Sequence, residues 1–421
     1  MTETAGAFVV VGAGQAGAWV ARTLRAEGFA GRVVLIGREA HQPYERPPLS
    51  KAVLSGAATP DSAVLLTAAQ AEGLAIECWL STEVAALDRA GRRVICADGR
   101  ALRYDRLFLT TGGRARTLPA WEAATHPRIH LLRTLDDAAG LRAALTDGAT
   151  ADASRTLLVL GGGWIGLEVA ATARRLGVAV TVVEAAPRLC ARALPPVASD
   201  YLRHLHESHG VTIRLGCAVA ALDGTAAGVA MALADGTVLV ADHAVIGIGM
   251  RPDTGLAAAA GLAVADGIAV DAAGRTSDPL IYAAGDAASH PSAFAGTSLR
   301  LESWANAQNQ AIVAAKAALG HDVRYAEVPW FWSDQYDVNL QILGLPERGV
   351  RAVARGAPQA GSGAWLMLGA DGRAAGVIAV NAPRDLRGVR RMIADGLTPD
   401  PAAWADAATP LNRIGSLPPA T

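Results

Sequence analysis

The sequence predicts an α/β fold made of two strand–turn–helix–strand units, the second inserted in the first, followed by a C-terminal α+β domain. Three observations carry this. Residues 156–185 join an apolar run, a glycine-rich turn, a helical stretch and a second apolar run that ends in an acid. The same order occurs at 8–39, and features downstream of both copies recur at identical internal offsets. From about Tyr325 the pattern changes to short runs separated by turns. A chain of 421 residues also exceeds what a single core usually supports.

In the second copy, Leu157–Leu160 is apolar enough for a buried parallel strand. Gly161, Gly163 and Gly166 then satisfy GxGxxG at the mouth of a helix, and Glu184 closes the next strand 18 residues past the last glycine. The glycines have separate tasks: a tight turn, close approach of backbone to a pyrophosphate, and packing of helix on sheet. An acid at that distance hydrogen-bonds the adenosine ribose 2′-hydroxyl of NAD. The stretch is therefore a Rossmann-like dinucleotide-binding unit.

The first copy runs through the strand Phe8–Val11, Gly12-Ala-Gly14-Gln-Ala-Gly17, a helix to about Glu27, and the strand Val33–Ile36, closing at Gly37-Arg38-Glu39. Asp98-Gly99, Asp105 and Thr111-Gly112 recur as Asp235-Gly236, Asp242 and Ile248-Gly249, which marks a duplication. The first copy is the longer by 12 residues, and the segment Tyr44 to Lys51 is placed to hold the excess. Pro47 and Pro48 keep that segment extended, and Ser50 is expected to cap a helix. Lys51 is then either a solvated lysine in a first turn or a cation aimed at a cofactor. After Gly249 no third unit starts; Ile268–Val270, 280–286 and a helix from about Ser303 to Leu319 return to the first domain. The expected boundaries are 1–118 with 250–324, 119–249, and 325–421. The last domain reads as strands at Val338–Leu343, Val350–Ala354, Ala364–Leu368 and Ala375–Val380, with a helix near Leu386–Ala394.

Composition excludes several classes. With 51% hydrophobic residues, 18% charged residues and a net charge of −1, nothing suggests nucleic acid. The uncharged stretch Thr4–Ala21 has glycines and a preceding Glu3, unlike a signal peptide or membrane span, so a cytoplasmic protein without a membrane span is expected. Cys78, Cys96, Cys190 and Cys217 lie far apart, which argues against a metal cluster or redox dithiol, and the histidines lack ligand spacing. Lys and Arg total 38, yet only Lys51 and Lys316 are lysine.

The ordered set GAGQAG, YERPPLSK, TTG, LRTLDDA, GGGWIGLE, GIGMRP, YAAGDAA, ESWANAQNQ and WFWSDQ covers nearly the whole chain. It resembles the NADH-dependent, FAD-containing ferredoxin reductases that serve aromatic-ring dioxygenases, and more broadly the rubredoxin, putidaredoxin and apoptosis-inducing-factor group of the glutathione-reductase-like fold. The resemblance implies FAD in the first unit and NADH in the second. It places Gly12, Gly14, Ala16, Gly17, Arg46, Thr111, Gly112, Arg133, Asp286 and Glu302 at FAD, Val84 by its adenine, and Trp304 and Trp332 at the isoalloxazine. Gly161, Gly163, Ile165, Gly166, Glu184, Arg188 and Gly249 are implied at NADH. Lys51 is implied near flavin N5, paired with Glu168. Arg38 departs from the family, which usually has an acid there; either Glu39 supplies the ribose contact or that contact is weaker.

What the resemblance implies chemically is hydride transfer from nicotinamide to flavin, then single-electron delivery to a 2Fe–2S ferredoxin or rubredoxin feeding an oxygenase. Trp332 is a candidate exit route, or a packing residue. Arg384, Arg387 and Arg391 fall at i, i+3 and i+7, as a basic docking face or a solvated one. Two alternatives remain open: an NADH-dependent reductase of a small acceptor, and a redox-controlled binding protein like apoptosis-inducing factor. Oligomeric state is not legible.

Overall fold

The computed structural model describes residues 7–118, 126–146, 155–395, 397–411, 414 and 416–417. The chain divides into two compact units: Met1–Arg46 with Asp61–Arg114 and Arg251–Glu327, and Pro47–Pro60 with Ala115–Met250 and Val328–Thr421.

The first unit is built on a parallel sheet in the order Ile281–Ala283, Arg106–Leu109, Ala7–Val11, Arg32–Ile36, Ile76–Trp79. Parallel strands need cover on both faces. One face receives helices Gln15–Ala26 and Trp304–Ala318, whose Val20, Ala21 and Leu24 share a cluster with Ala311, Ala314 and Ala315. The small side chains of the second helix let the two pack closely. The other face is filled by Val9, Val34 and Leu107 against Val94 and Leu102 of a small antiparallel sheet.

The second unit repeats this plan, with parallel strands in the order Thr212–Leu215, Ala179–Glu184, Thr156–Leu160, His243–Ile246, Ile129–His130. The repeated offsets seen in the sequence have structural causes. Asp105 accepts the backbone N–H of Ala7 at 2.8 Å and Asp242 that of Thr156 at 2.9 Å, so each aspartate satisfies the first donor of its central strand. Gly99 and Gly236 have φ of +87° and +86° in equivalent hairpin turns. Each copy carries a three-stranded antiparallel sheet with the same register shift, between Val84 and Ala86 in one and between Val219 and Ala221 in the other.

The C-terminal sheet is antiparallel throughout, in the order Trp330–Gln335, Val338–Gly344, Ala374–Val380, Ser362–Leu368, Arg351–Ala357. Helix Pro383–Ala394 buries Leu386, Val389 and Ile393. Leu340, Ile342, Trp365 and Ile378 of the sheet share a core with Leu167 and Leu202, which explains why these residues and the nucleotide-type sheet form one unit. One local expectation fails. Ser50 lies in the 3-10 turn Pro47–Ser50, and the short helix Ala52–Ser55 has Lys51 at its N-cap and no side-chain cap, because the helix starts one residue later than expected. Among the described residues, no helix is long and apolar enough to cross a membrane.

Close packing at the third glycine of each loop is testable. A Cβ at Gly17 would overlap the carbonyl oxygen of Gly12, and one at Gly166 that of Gly161. Denaturant unfolding of Gly166→Ala is expected to show a loss of about 1–3 kcal/mol; an unchanged midpoint would mean the helix shifts away freely.

Candidate dinucleotide sites and the Lys51–Glu168 pair

In the first unit, strand Ala7–Val11 ends at Gly12, whose φ of +111° turns the chain sharply. Gly14 precedes helix Gln15–Ala26, and nothing lies within 4 Å of where its Cβ would be, so the helix N-terminus is open to a ligand. Thr110, which the sequence reading passed over, donates its Oγ to the carbonyls of Val11 (3.1 Å) and Gly12 (2.8 Å) and so holds the loop from the neighbouring strand. Ala16 packs against Gly285, which leads into the turn carrying Asp286. Both amide atoms of Gln15, the first residue of that helix, are buried without a protein hydrogen-bond partner. Buried amides require partners, and a polar dinucleotide supplies them. The residues present therefore fit such a group.

The two copies differ at the end of the second strand. Ile36 and Val183 are equivalent, since each carbonyl accepts the N–H of the first loop glycine, Gly12 or Gly161, at 2.8 Å. The next residue is Gly37 in one and Glu184 in the other. A Cβ at Gly37 would come within 2.6 Å of the Ala13 Cβ, whereas Glu184 faces Gly162. A side chain of the Glu184 kind has no room in the first copy. Glu39 lies two residues on, and its carboxylate accepts from Arg46 at 2.8 Å and from the Tyr44 hydroxyl. Burial pushes the Glu39 carboxyl up, but the Arg46 charge and the Tyr44 hydrogen bond outweigh it and hold the group below its ordinary range. Burial likewise works against the Arg46 cation, while Tyr44, Glu39 and Asp286 together hold its pKa above the ordinary value.

The remaining first-unit residues are placed as follows. Val84 opens strand Val84–Asp88. Thr111 Oγ donates to the Asp253 carbonyl at 2.6 Å, and the Gly112 carbonyl accepts the Asp253 N–H. The Trp304 indole donates to Glu45 at 3.0 Å, and Glu302 pairs with Arg300 at 2.7 Å.

In the second unit, Gly161 has φ of +107° and Gly163 stands in extended conformation before helix Trp164–Arg175, with Ile165 exposed beside it. Glu184 accepts the N–H of Gly162 at 2.6 Å and of Ala186 at 2.7 Å, which fixes the carboxylate at the loop. Arg188 donates to the carbonyls of Leu194 and Ala191 and to Ser199 Oγ. Gly249, at φ +101°, has Arg192 3.2 Å from its Cβ position. The backbone N–H groups of Arg133 and Thr134 donate to Asp137. Arg384, Arg387 and Arg391 are exposed, and Arg391 lies 3.5 Å from Asp395.

Lys51 and Glu168, 117 residues apart, meet at 2.6 Å. The Glu168 side chain is 3% exposed and that of Lys51 19%. Ser50 Oγ donates to Glu168 Oε2 at 2.5 Å and Ser333 Oγ to Oε1 at 2.6 Å, so both oxygens are bonded. Neither serine was singled out for this in the sequence; the only signal was their position beside Lys51 and within WFWSDQ. Trp332 stacks on Trp330 with centroids 5.2 Å apart and planes 22° off parallel, as strand alternation requires.

Residues 6–311 match the model of the pyridine nucleotide-disulphide oxidoreductases. The chain belongs to that family. Residues 330–415 of this oxidoreductase match a second model, reductase C-terminal. It is 44% identical over 403 residues to the anthranilate 1,2-dioxygenase system ferredoxin–NAD(+) reductase component of Burkholderia cepacia, covering 95% of this chain and 97% of that one. It is 40% identical to putidaredoxin reductase of Pseudomonas putida, over 96% of each. Among solved structures, the covalent putidaredoxin reductase–putidaredoxin complex superposes with a TM-score of 0.92 at 40% identity over 98% of each chain. FAD and NADH are the cofactors of such reductases. All four cysteines of the oxidoreductase are free, and burial pushes the Cys190 thiol up.

With Glu184 expected at the adenosine ribose, a 2′-phosphate there would meet its negative charge. Glu184→Ala is expected to narrow the NADH/NADPH ratio of kcat/KM by about tenfold, equivalent to ~1.4 kcal/mol of discrimination; steady-state kinetics with both nucleotides checks it, and an unchanged ratio removes the assignment.

Proposed function

We propose that the chain is a flavoprotein oxidoreductase that takes hydride from NADH onto FAD and passes single electrons to a 2Fe–2S ferredoxin or rubredoxin feeding an oxygenase, in the cytoplasm, where NADH is available and its free thiols stay reduced. The observation that carries this is the buried Lys51–Glu168 pair in a chain with two glycine cradles and four free cysteines. With no thiol pair in that role, electrons pass to the partner directly or through an aromatic side chain, for which Trp332 is the proposed residue. The relatives named above, the reductase component of a dioxygenase system and putidaredoxin reductase, support the same reading.

Residues 1–118 and 250–324 form the proposed FAD domain, 119–249 the NADH domain and 325–421 the C-terminal domain. FAD, when bound, accepts hydride and releases electrons singly. Gly12, Gly14, Ala16 and Gly17 bring backbone N–H groups to its pyrophosphate, with Arg46, Thr111, Gly112, Arg133, Asp286, Glu302 and Trp304 as further contacts and Val84 at the adenine. Glu39 orients Arg46. Gly161, Gly163, Ile165, Gly166 and Gly249 receive NADH, and Glu184 orients the ribose. Arg188 braces the 188–199 segment behind Glu184 through its carbonyl contacts. Lys51 offers a positive charge to the flavin's N5 side, and Glu168 holds that ammonium in place.

NADH-driven reduction of cytochrome c, with and without candidate ferredoxins, tests the reading. Ferredoxin-dependent turnover is expected; fast turnover without ferredoxin would make the chain a small-acceptor reductase, and slow turnover with every acceptor a binding protein. In stopped flow, Lys51→Met is expected to retain FAD but to be reduced on the order of a hundredfold more slowly; wild-type rates would refute the role.

A further inference from the structure

The hydrogen bonding at Glu168 does not end with its three neighbours. Ser333 Oγ, which donates to Glu168 Oε1, accepts from Gln335 Nε2 at 3.0 Å. Gln335 Oε1 lies 2.7 Å from His206 Nε2, and His206 Nδ1 lies 3.2 Å from the Tyr336 hydroxyl. Ser333, Gln335 and His206 are 1%, 2% and 0% exposed. The run therefore passes from the edge strand of the C-terminal sheet to helix Pro196–Ser208, wholly away from water.

Two regularities bring these groups together. Along strand Trp330–Gln335, positions 331, 333 and 335 share one face, opposite the stacked Trp330 and Trp332. Four helical residues rise about 6 Å and two strand residues about 6.8 Å, so i, i+4 on a helix matches i, i+2 on a strand beside it. Trp164 accordingly packs on Phe331, with centroids 4.9 Å apart, and Glu168 meets Ser333.

The proton inventory gives the run a direction. Burial lowers the His206 pKa to about 4 despite its bond to Gln335, and burial raises that of Tyr336 to about 12. At neutral pH the imidazole carries one hydrogen and the phenol keeps its own. Gln335 Oε1 can only accept, so Nε2 carries the imidazole hydrogen, and Nδ1 accepts from the phenol. The Gln335 amide then turns its N–H toward Ser333, which leaves the Ser333 hydrogen for Glu168. All four bonds point donor-first at the carboxylate, and each polarises the next.

We propose that Ser333, Gln335 and His206 are positioning residues that fix the orientation of Glu168 from the side opposite Lys51 and thereby place the Lys51 ammonium. The inference rests on the role given to Lys51 above. With only Lys51 and Ser50 on Oε2, the carboxylate would be free to turn about its terminal bond; Ser333 on Oε1 removes that freedom. Displacing a reacting or charge-stabilising group by about 1 Å costs on the order of a hundredfold in rate, so partial loosening is a smaller fraction of that.

Full-length, FAD-loaded Ser333→Ala, Gln335→Met and His206→Phe test the proposal by three readouts: stopped-flow flavin reduction with the Kd of NADH, the flavin midpoint potential, and the Cε resonances of carbon-13-labelled lysine. Lys51 and Lys316 are the two lysines of the chain, and Lys316, ion-paired with Glu27 at 3.0 Å, is the internal reference. Ser333→Ala is expected to slow flavin reduction by about tenfold, with smaller effects at Gln335 and His206 in that order. The Kd of NADH should stay constant, the potential should fall, and the Lys51 resonance should move while that of Lys316 does not. Ser333→Thr should restore the rate. Loss of thermal stability with an unmoved Lys51 resonance and wild-type rate would overturn the proposal as merely structural packing. If Lys51→Met is slow but all three variants are fast, the inference fails and the role of Lys51 stands. If Lys51→Met is itself fast, that role fails, and the Lys51 resonance alone decides whether the run positions the ammonium. Should Ser333→Ala not fold, Gln335→Met and His206→Phe decide by the same criteria.

Discussion

A carboxylate almost wholly withdrawn from water is costly unless both of its oxygens are bonded. Glu168 meets that condition with Lys51 and Ser50 on one oxygen and Ser333 on the other. The three donors come from a segment near residue 50 and from the C-terminal sheet, so one buried charge constrains parts of the chain separated by more than a hundred residues. Removing one partner of such a pair typically costs about 3–5 kcal/mol. The local structure around Lys51 fits this arrangement: Ser50 ends a 3-10 turn with its hydroxyl donating to Glu168, and the helix that follows is only Ala52–Ser55.

The duplicated units show how one plan serves two ligands. Both copies use a left-handed glycine at the strand end, an open second glycine and a third that permits helix–sheet contact. They part where the end of the second strand meets the loop. Glu184 stands over Gly162 in one copy, while in the other the Ala13 methyl occupies the corresponding space and Gly37 must lack a side chain. An acid equivalent to Glu184 is thus excluded from the first copy by sterics, and Glu39, two residues past Gly37, is bound to Arg46 and Tyr44.

Much of this was legible in the sequence, because parallel strands, glycine turns and offset repeats are local patterns. The helix expected from Ser303 is capped by Ser303 and runs over Trp304–Ala318; the C-terminal strands fall within a few residues of their expected limits. The pairing of Lys51 with Glu168 came from resemblance, since nothing local joins residues 117 apart. What escaped was the polar face of WFWSDQ. Its tryptophans drew attention to one side of the strand, and alternation puts Ser333 and Gln335 on the other. Thr110 and His206 were missed for a related reason: their partners are a carbonyl and an amide brought near only by folding.

The identity of residue 51 follows from the same geometry. In a chain that otherwise takes its positive charge from arginine, Lys51 places a compact ammonium 2.6 Å from Glu168 Oε2, 3.2 Å from the Pro47 carbonyl and 3.5 Å from Ser50 Oγ. Arginine gains its advantage by gripping both oxygens of a carboxylate with a planar fork. At Glu168 the Lys51 ammonium meets Oε2, while Ser333 bonds Oε1. A guanidinium would bring five donors to this buried site, whereas an ammonium brings three and places them at Glu168 Oε2, the Pro47 carbonyl and Ser50 Oγ. The serine on the far side of Glu168 and the lysine on the near side are therefore a matched choice.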